Sequence, residues 1–217
     1  MWSKKGFTIT ELVVAMMLVS GIAMILMPSL VADNEKHVYA TALKKLYAQL
    51  QQTNQAVGML QARGQISQGN MLVAYMDTLE RTTKIVPDNQ KSKYLYSYSA
   101  KPADCVAADG ALACPNGIVL KNGMFLFFDN RVYVVGDPTE VEYYIITVDV
   151  NGKKKPNDVG KDIFYFLLKR DTATGITRIV PRGETNNDGV CSAEENDYTG
   201  CAYRILEGDG NGKIDYY

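Results

Sequence analysis

Histidine occurs once in the 217-residue chain, at His37, and tryptophan once, at Trp2. A nucleophile system built on histidine, or a zinc site that needs several histidines, therefore has little to draw on. Cysteine occurs four times, as two short-range pairs, Cys105 with Cys114 and Cys191 with Cys201. Neither pair has Cys-x-x-Cys spacing, which argues against a thioredoxin-like dithiol or a structural zinc site. Three pairings exist in principle; adjacent pairing is favoured because both loops are flanked by Gly-, Pro- or Asp-rich segments that can turn. Two small-loop disulfides imply an oxidising compartment. Charge of one sign is also lacking: 23 Lys and Arg stand against 24 Asp and Glu, for a formal net charge of -1 and a pI near 5.9. That excludes the electrostatic footprint of general nucleic-acid binding, and Lys153-Lys154-Lys155 reads as a solvated loop. No Gly-x-Ser-x-Gly elbow, phosphate-binding Gly-rich loop or His-Glu-x-x-His occurs. Glu194-Glu195 fits a surface or metal-facing pair better than a general acid and base. Catalysis is not expected.

Charge is scarcest near the start. From Phe7 to Ala32 the only ionisable residue is Glu11, so the stretch is long enough to cross a bilayer as a helix. Lys4 and Lys5 precede it and place the start of the chain on the cytoplasmic side. An ordinary signal anchor or a secretory signal peptide would also be apolar here. However, no small-residue cleavage site follows the apolar core, and a carboxylate at membrane depth is costly unless it has a function and a partner. With no basic residue in the span, the partner of Glu11 is expected from outside the helix, or from a free amine at Phe7.

Lys4-Lys5-Gly6-Phe7-Thr8-x-x-Glu11, followed by a long apolar helix, resembles the leader of type IV prepilins and type II secretion pseudopilins. The resemblance implies cleavage by a membrane-embedded prepilin peptidase between Gly6 and Phe7, with N-methylation of Phe7. Glu11 then becomes the fifth residue of the mature chain, where the neighbouring subunit's N-terminal amine can neutralise it and set axial register. The family carries a proline at the depth of Pro28, where the ring removes a donor and loosens the helix, here over Ser20 to Pro28. Thr10 is more polar than the residue the family usually has before its glutamate. Loss of Lys4 and Lys5 with the leader moves the formal charge from -1 to -3.

Beyond Ala32 polarity rises while helical periodicity continues through Tyr39, Leu43, Leu46, Leu50, Val57 and Leu60. Gly58 and Gly64 weaken the far end, and the helix is expected to stop near Gly64. A second, shorter helix is expected within Gln65 to Thr83, through Leu72, Met76 and Leu79. From Asn116 the period changes. Gly117 to Leu120, Met124 to Phe128, Val132 to Val135, Tyr143 to Val150 and Ile163 to Leu168 are β-rich, with Asn122-Gly123 and Asp129-Asn130 as turns. Short connections imply an antiparallel meander. The expected fold is α+β: a long N-terminal helix, membrane-spanning in its first half and amphipathic in its second, packed on an antiparallel sheet. The segments are 1–6 as leader, 7–32 as apolar helix, 33–64 as its amphipathic continuation and 65–217 as a head with two disulfide loops. The Tyr94, Tyr96, Tyr98 and Phe125, Phe127, Phe128 runs read as core or subunit packing.

Glu184, Asn186, Asp188, Val190, Ser192 and Glu195 fit the ligand spacing of a twelve-residue calcium loop, with Gly189 at the sharp turn. Glu at the first position and Cys191 at the eighth depart from the usual pattern. Asp209, Asn211 and Asp215 repeat the phase, but no twelfth-position Glu follows. Calcium is the cofactor these hard oxygens suit, although Asn-Asp-Gly and Gly-Asp-Gly are also ordinary turns. Asp149-Val-Asn151-Gly152 with Pro156-Asn157 and Asp162 is a third oxygen-rich loop, which a hairpin turn explains.

The resemblance implies a structural subunit of a type IV pilus or type II secretion pseudopilus. Its partners would be other pilin-like subunits, prepilin peptidase, an inner-membrane assembly platform, and membrane lipid before assembly. It would begin as a single-pass protein of a bacterial inner membrane with its head outside the cytoplasm, then enter a periplasmic pseudopilus or an extracellular pilus. A pilus-tip adhesin or receptor using the head is the alternative.

Overall fold

The computed structural model describes residues 8–66, 71–87, 117–129, 133–135, 141–152, 154, 156–171, 173–184, 189–192 and 194–207. The chain forms two compact units, Met1–Val38 and Tyr39–Tyr217, and helix α1 (Ile9–Ala62) contributes to both.

In the first unit the Ile9–Met27 stretch of α1 is apolar on its several faces, with Glu11 its one ionisable residue. Ile9–Met27 has a mean hydropathy of 2.3, and none of it is buried against the rest of the protein. Nineteen residues at the helical rise extend about 28 Å, close to the thickness of a bilayer's hydrocarbon core. Large side chains such as Leu12, Met17, Val19 and Ile25 stand exposed on different sides of this helix. A helix that is apolar all round needs surroundings other than water. Ser20 Oγ donates to Met16 O at 2.6 Å, the back-bond to the preceding turn that tends to bend helices. The helix runs on through Pro28.

The second unit has an ordinary core. Leu43, Leu46, Leu50 and Val57 of α1 are buried, with Ala40 and Thr53 on the same stripe, whereas Tyr39 and Leu60 are only half-buried. Burying those four aliphatic side chains is worth roughly 6–12 kcal/mol before chain entropy is set against it. The helix ends where Gly64 appears. Its φ of 68° is left-handed, Gly64 N donates to Gln61 O at 2.9 Å, and Gln65 N donates to Leu60 O at 3.0 Å. This paired C-cap satisfies the last carbonyls at a position that favours glycine. Helix α2 (Met71–Thr82) buries Met71, Leu72, Tyr75 and Leu79, and Tyr75 Oη donates to Leu50 O at 2.8 Å.

Six antiparallel strands follow: β1 (Gly117–Val119), β2 (Phe125–Phe128), β3 (Tyr133–Val135), β4 (Val141–Asp149), β5 (Ile163–Asp171) and β6 (Thr177–Pro181). The order is β1-β2-β4-β5-β6, and β3 pairs with the start of β4 beyond β2. Leu126, Phe128, Ile146, Val148, Phe164, Phe166, Leu168 and Ile179 face the helices in one core. Tyr47 of α1 stacks on Phe166 at 5.6 Å, and Gln51 and Asn54 donate to Ile179 O and Thr177 O on β6. The aromatic run of β2 is buried on both faces: Phe125 and Phe127 form a smaller cluster with Val86, Val119 and Ile163 on the opposite side. The expected helix-on-sheet packing is therefore present. β6 and helix α3 (Cys201–Glu207) come in addition to the expected elements.

Candidate functional site

The N-terminus of α1 is closed by a reciprocal pair. Thr8 N and Thr8 Oγ1 donate to Glu11 Oε2 at 2.9 and 2.8 Å, and Glu11 N donates to Thr8 Oγ1 at 3.3 Å. This is a capping box, with Thr8 as N-cap and Glu11 three residues on. Thr8 thus holds Oε2 from within the same turn, a capping contact that supplies no charge to pair with the glutamate. A carboxylate there also faces the positive end of the helix dipole. No described hydrogen bond uses Oε1, so the second oxygen can still accept a donor from elsewhere.

In the head, the β4–β5 connection is more than a hairpin turn. Asp149 and Asp162 are both fully buried. Asp149 Oδ1 accepts from Asn151 N at 3.0 Å and Gly152 N at 2.7 Å. Asp162 accepts from Asn157 N at 2.8 Å and Asp158 N at 2.7 Å, and the Asn151 side chain adds a further bond. Burial pushes the Asp162 carboxyl above its ordinary range, and these hydrogen bonds counter only part of that. With its side-chain amide turned so that oxygen and nitrogen exchange places, Asn157 donates into the same cluster, 2.9 Å from Gly152 O and 3.2 Å from Asp149 Oδ2. Gly152 has φ 67°, and a Cβ there would collide with the Gly123 carbonyl, so the β1–β2 turn fixes this loop from outside. Buried carboxylates that each take two backbone N–H groups serve here as loop anchors.

The C-terminal segment is organised by a residue outside the expected ligand set. Asp197 accepts from Thr199 N at 2.9 Å and Thr199 Oγ1 at 2.7 Å through Oδ1, and from Val190 N at 3.3 Å through Oδ2. Burial raises its pKa, but these hydrogen bonds and the Arg182 charge outweigh it and hold the carboxyl below its usual value. Cys191 and Cys201 are disulfide-bonded with Cα atoms 4.6 Å apart, and Arg204 Nη1 donates to Cys191 O at 3.1 Å. Cys201 starts α3 and is buried in the core. Of the expected calcium ligands, Val190 O accepts from Gly200 N at 3.0 Å and Ser192 Oγ from Glu195 N at 3.3 Å, while Glu184 and Glu195 are exposed. Among the described residues, no group of three His, Cys, Asp or Glu side chains converges to hold a metal.

Gly6, Phe7, Cys105, Cys114, Asn186, Asp188, Asp209, Asn211 and Asp215 lie outside the described residues, as do Tyr94, Tyr96 and Tyr98. Glu11 and Pro28 lie in the same helix, and Val190, Ser192 and Cys191 lie together in the disulfide segment. Asp197 and Arg182 lie outside the set of residues the sequence pattern singles out. The Asx-turn spacing Asp197-Tyr-Thr199 was the available signal for Asp197. No family model, curated protein or solved structure matches this chain.

Proposed function

We propose that the chain is a structural subunit of a type IV pilus-like or type II secretion pseudopilus filament, processed by prepilin peptidase and assembled through α1. The observation that carries this is Ile9–Met27, apolar on all faces, with one carboxylate in its first turn behind Lys4-Lys5-Gly6-Phe7. Other helices of the same kind would cover those faces within a filament, as lipid does before assembly. Cleavage after Gly6 would leave an amine at Phe7. Thr8 engages Glu11 through Oε2, which leaves Oε1 for the amine of the neighbouring subunit. The anchored loops and the disulfide give a head stable enough to be displayed outside the cytoplasm. Calcium at the 184–195 loop is a separate part of the proposal, and it would compete for Glu184 and Glu195 with any other partner of those carboxylates.

Assembly is tested by expressing the full chain with a peptidase and a pilus or pseudopilus assembly platform, then examining sheared material by electron microscopy and immunoblot. The expected result is filaments containing the chain, lost in Glu11→Ala while the protein stays in the membrane. Retention of the wild-type chain in the membrane as dispersed single subunits would overturn the proposal.

A further inference from the structure

Lys45, Lys84 and Lys121 line one groove of about 560 Å³ in the head, together with Thr82, Thr83 and Asn122. That volume is in the range of sites that hold a ligand or a few side chains. Its described lining contains no carboxylate. Lys45 comes from α1, Lys84 follows α2, and Lys121 sits in the β1–β2 turn, where its backbone N donates to Lys84 O at 2.8 Å. All three are exposed, and none forms an ion pair among the described residues. The carbonyl end of α2 contributes about half a negative charge against these three ammoniums. In a chain of formal charge -1 this is a local excess of positive charge with no ion-pair partner among the described residues.

The opposite pattern occurs towards the C-terminal end of the head. From Glu184 to Asp197 the sequence carries five carboxylates and no lysine or arginine. Glu184, Glu194 and Glu195 are exposed and form no ion pair among the described residues. The Cys191–Cys201 disulfide and the hydrogen bonds of Asp197 tie down Val190, Cys191 and Thr199 beside the Glu194-Glu195 turn.

We propose that the lysine groove receives the exposed carboxylates Glu184, Glu194 and Glu195 of a second copy of the chain. The contact joins two different faces, and such a heterologous contact propagates along a filament unless its rotation closes a ring. This rests on the filament reading above and adds to it a head-to-head partner. Exposed ion pairs contribute about two- to fivefold each, so this contact sets register and is weakened by salt, whereas α1 supplies most of the cohesion.

The test uses full-length chain in two forms, light and heavy in nitrogen isotope, co-assembled with peptidase and platform. The assembly is treated with a water-soluble carbodiimide in the presence of a chelator, and cross-linked peptides are read by mass spectrometry. Amide links between Lys45, Lys84 or Lys121 and Glu184, Glu194 or Glu195 are expected in mixed-isotope peptides. Their yield should fall by roughly tenfold in Lys84→Glu/Lys121→Glu. It should return, with donor and acceptor exchanged, when that variant is mixed with Glu194→Lys/Glu195→Lys. Processed chains in filaments without these links, or with links only inside one copy, overturn the contact and leave the filament reading standing. Mixed-isotope links in an unprocessed chain support the contact and overturn the filament reading; absence of both links and filaments overturns both.

Discussion

Replacing both members of the Cys191–Cys201 bridge by alanine isolates the loop that displays the acidic segment. The bridge closes a loop with a sequence separation of 10, and at that length the chain-entropy model gives about 2.7 kcal/mol of stabilisation at 25 °C. Cys201 is 1% exposed, so losing its sulfur also leaves a small void, which brings the expected loss to about 3 kcal/mol. For a chain of this size that corresponds to a fall in Tm of about 6–12 °C. Alanine is preferable to serine because it puts no new hydroxyl into the core. It is preferable to reductant because reductant would also open a Cys105–Cys114 bridge, if one is present. Urea unfolding of the full chain in a mild non-ionic detergent, followed by near-UV circular dichroism, reads the effect. A loss under about 1 kcal/mol would refute the reasoning, since the hydrogen bonds of Asp197 and Arg204 would then hold the loop without help.

Asp149→Ala removes the acceptor of two backbone N–H groups in a buried loop and should destabilise the head by about 2–4 kcal/mol in the same assay; a change within 0.5 kcal/mol, of order the error for a neutral surface site, would mean that the loop re-forms without its anchor. The folded pKa of Asp162 is raised above its ordinary 3.8, so its contribution to stability is full below that pH and is lost as pH rises through the folded value. Asp197 is shifted the other way, so its contribution is present above 3.8 and is lost as pH falls through its lower folded value. The stability gaps between wild type and Asp162→Asn, and between wild type and Asp197→Asn, should therefore change with pH in opposite directions in urea melts from pH 3 to 7, a range chosen to bracket the carboxylate values. Parallel slopes would contradict both assignments. If the 184–195 loop takes calcium, adding about 1–5 mM of the ion to chelated protein should raise Tm; identical melting curves would discard the metal.

The amphipathic half of α1 was legible because Leu43, Leu46, Leu50 and Val57 keep helical spacing and Gly64 supplies the left-handed stop. The strands were legible because apolar runs alternate with Asn-Gly and Asp-Asn turns. β6 was not: it is short, carries the exposed Arg178 at its second position and ends on Pro181, which reads as a break and suits an edge strand. Helix α3, at seven residues, is too short for periodicity to stand out from a loop, and packing and the disulfide hold it. The Thr8-Ile-Thr-Glu11 capping box lay in the open sequence, although the carboxylate drew attention as a membrane charge rather than as a cap. Asp149 and Asp162 looked like turn residues because the sequence of a loop gives no sign of its burial. That burial comes with the tertiary fold, in which the β1–β2 turn closes on the loop at Gly123 and Gly152.

The most direct test of the filament proposal is the intact mass of membrane-extracted chain co-expressed with an active prepilin peptidase. A processed subunit should begin at N-methylated Phe7, lacking Met1 to Gly6. A chain that retains those six residues, beside a control prepilin cut in the same cells, would contradict it and leave a single-pass membrane protein with a displayed head.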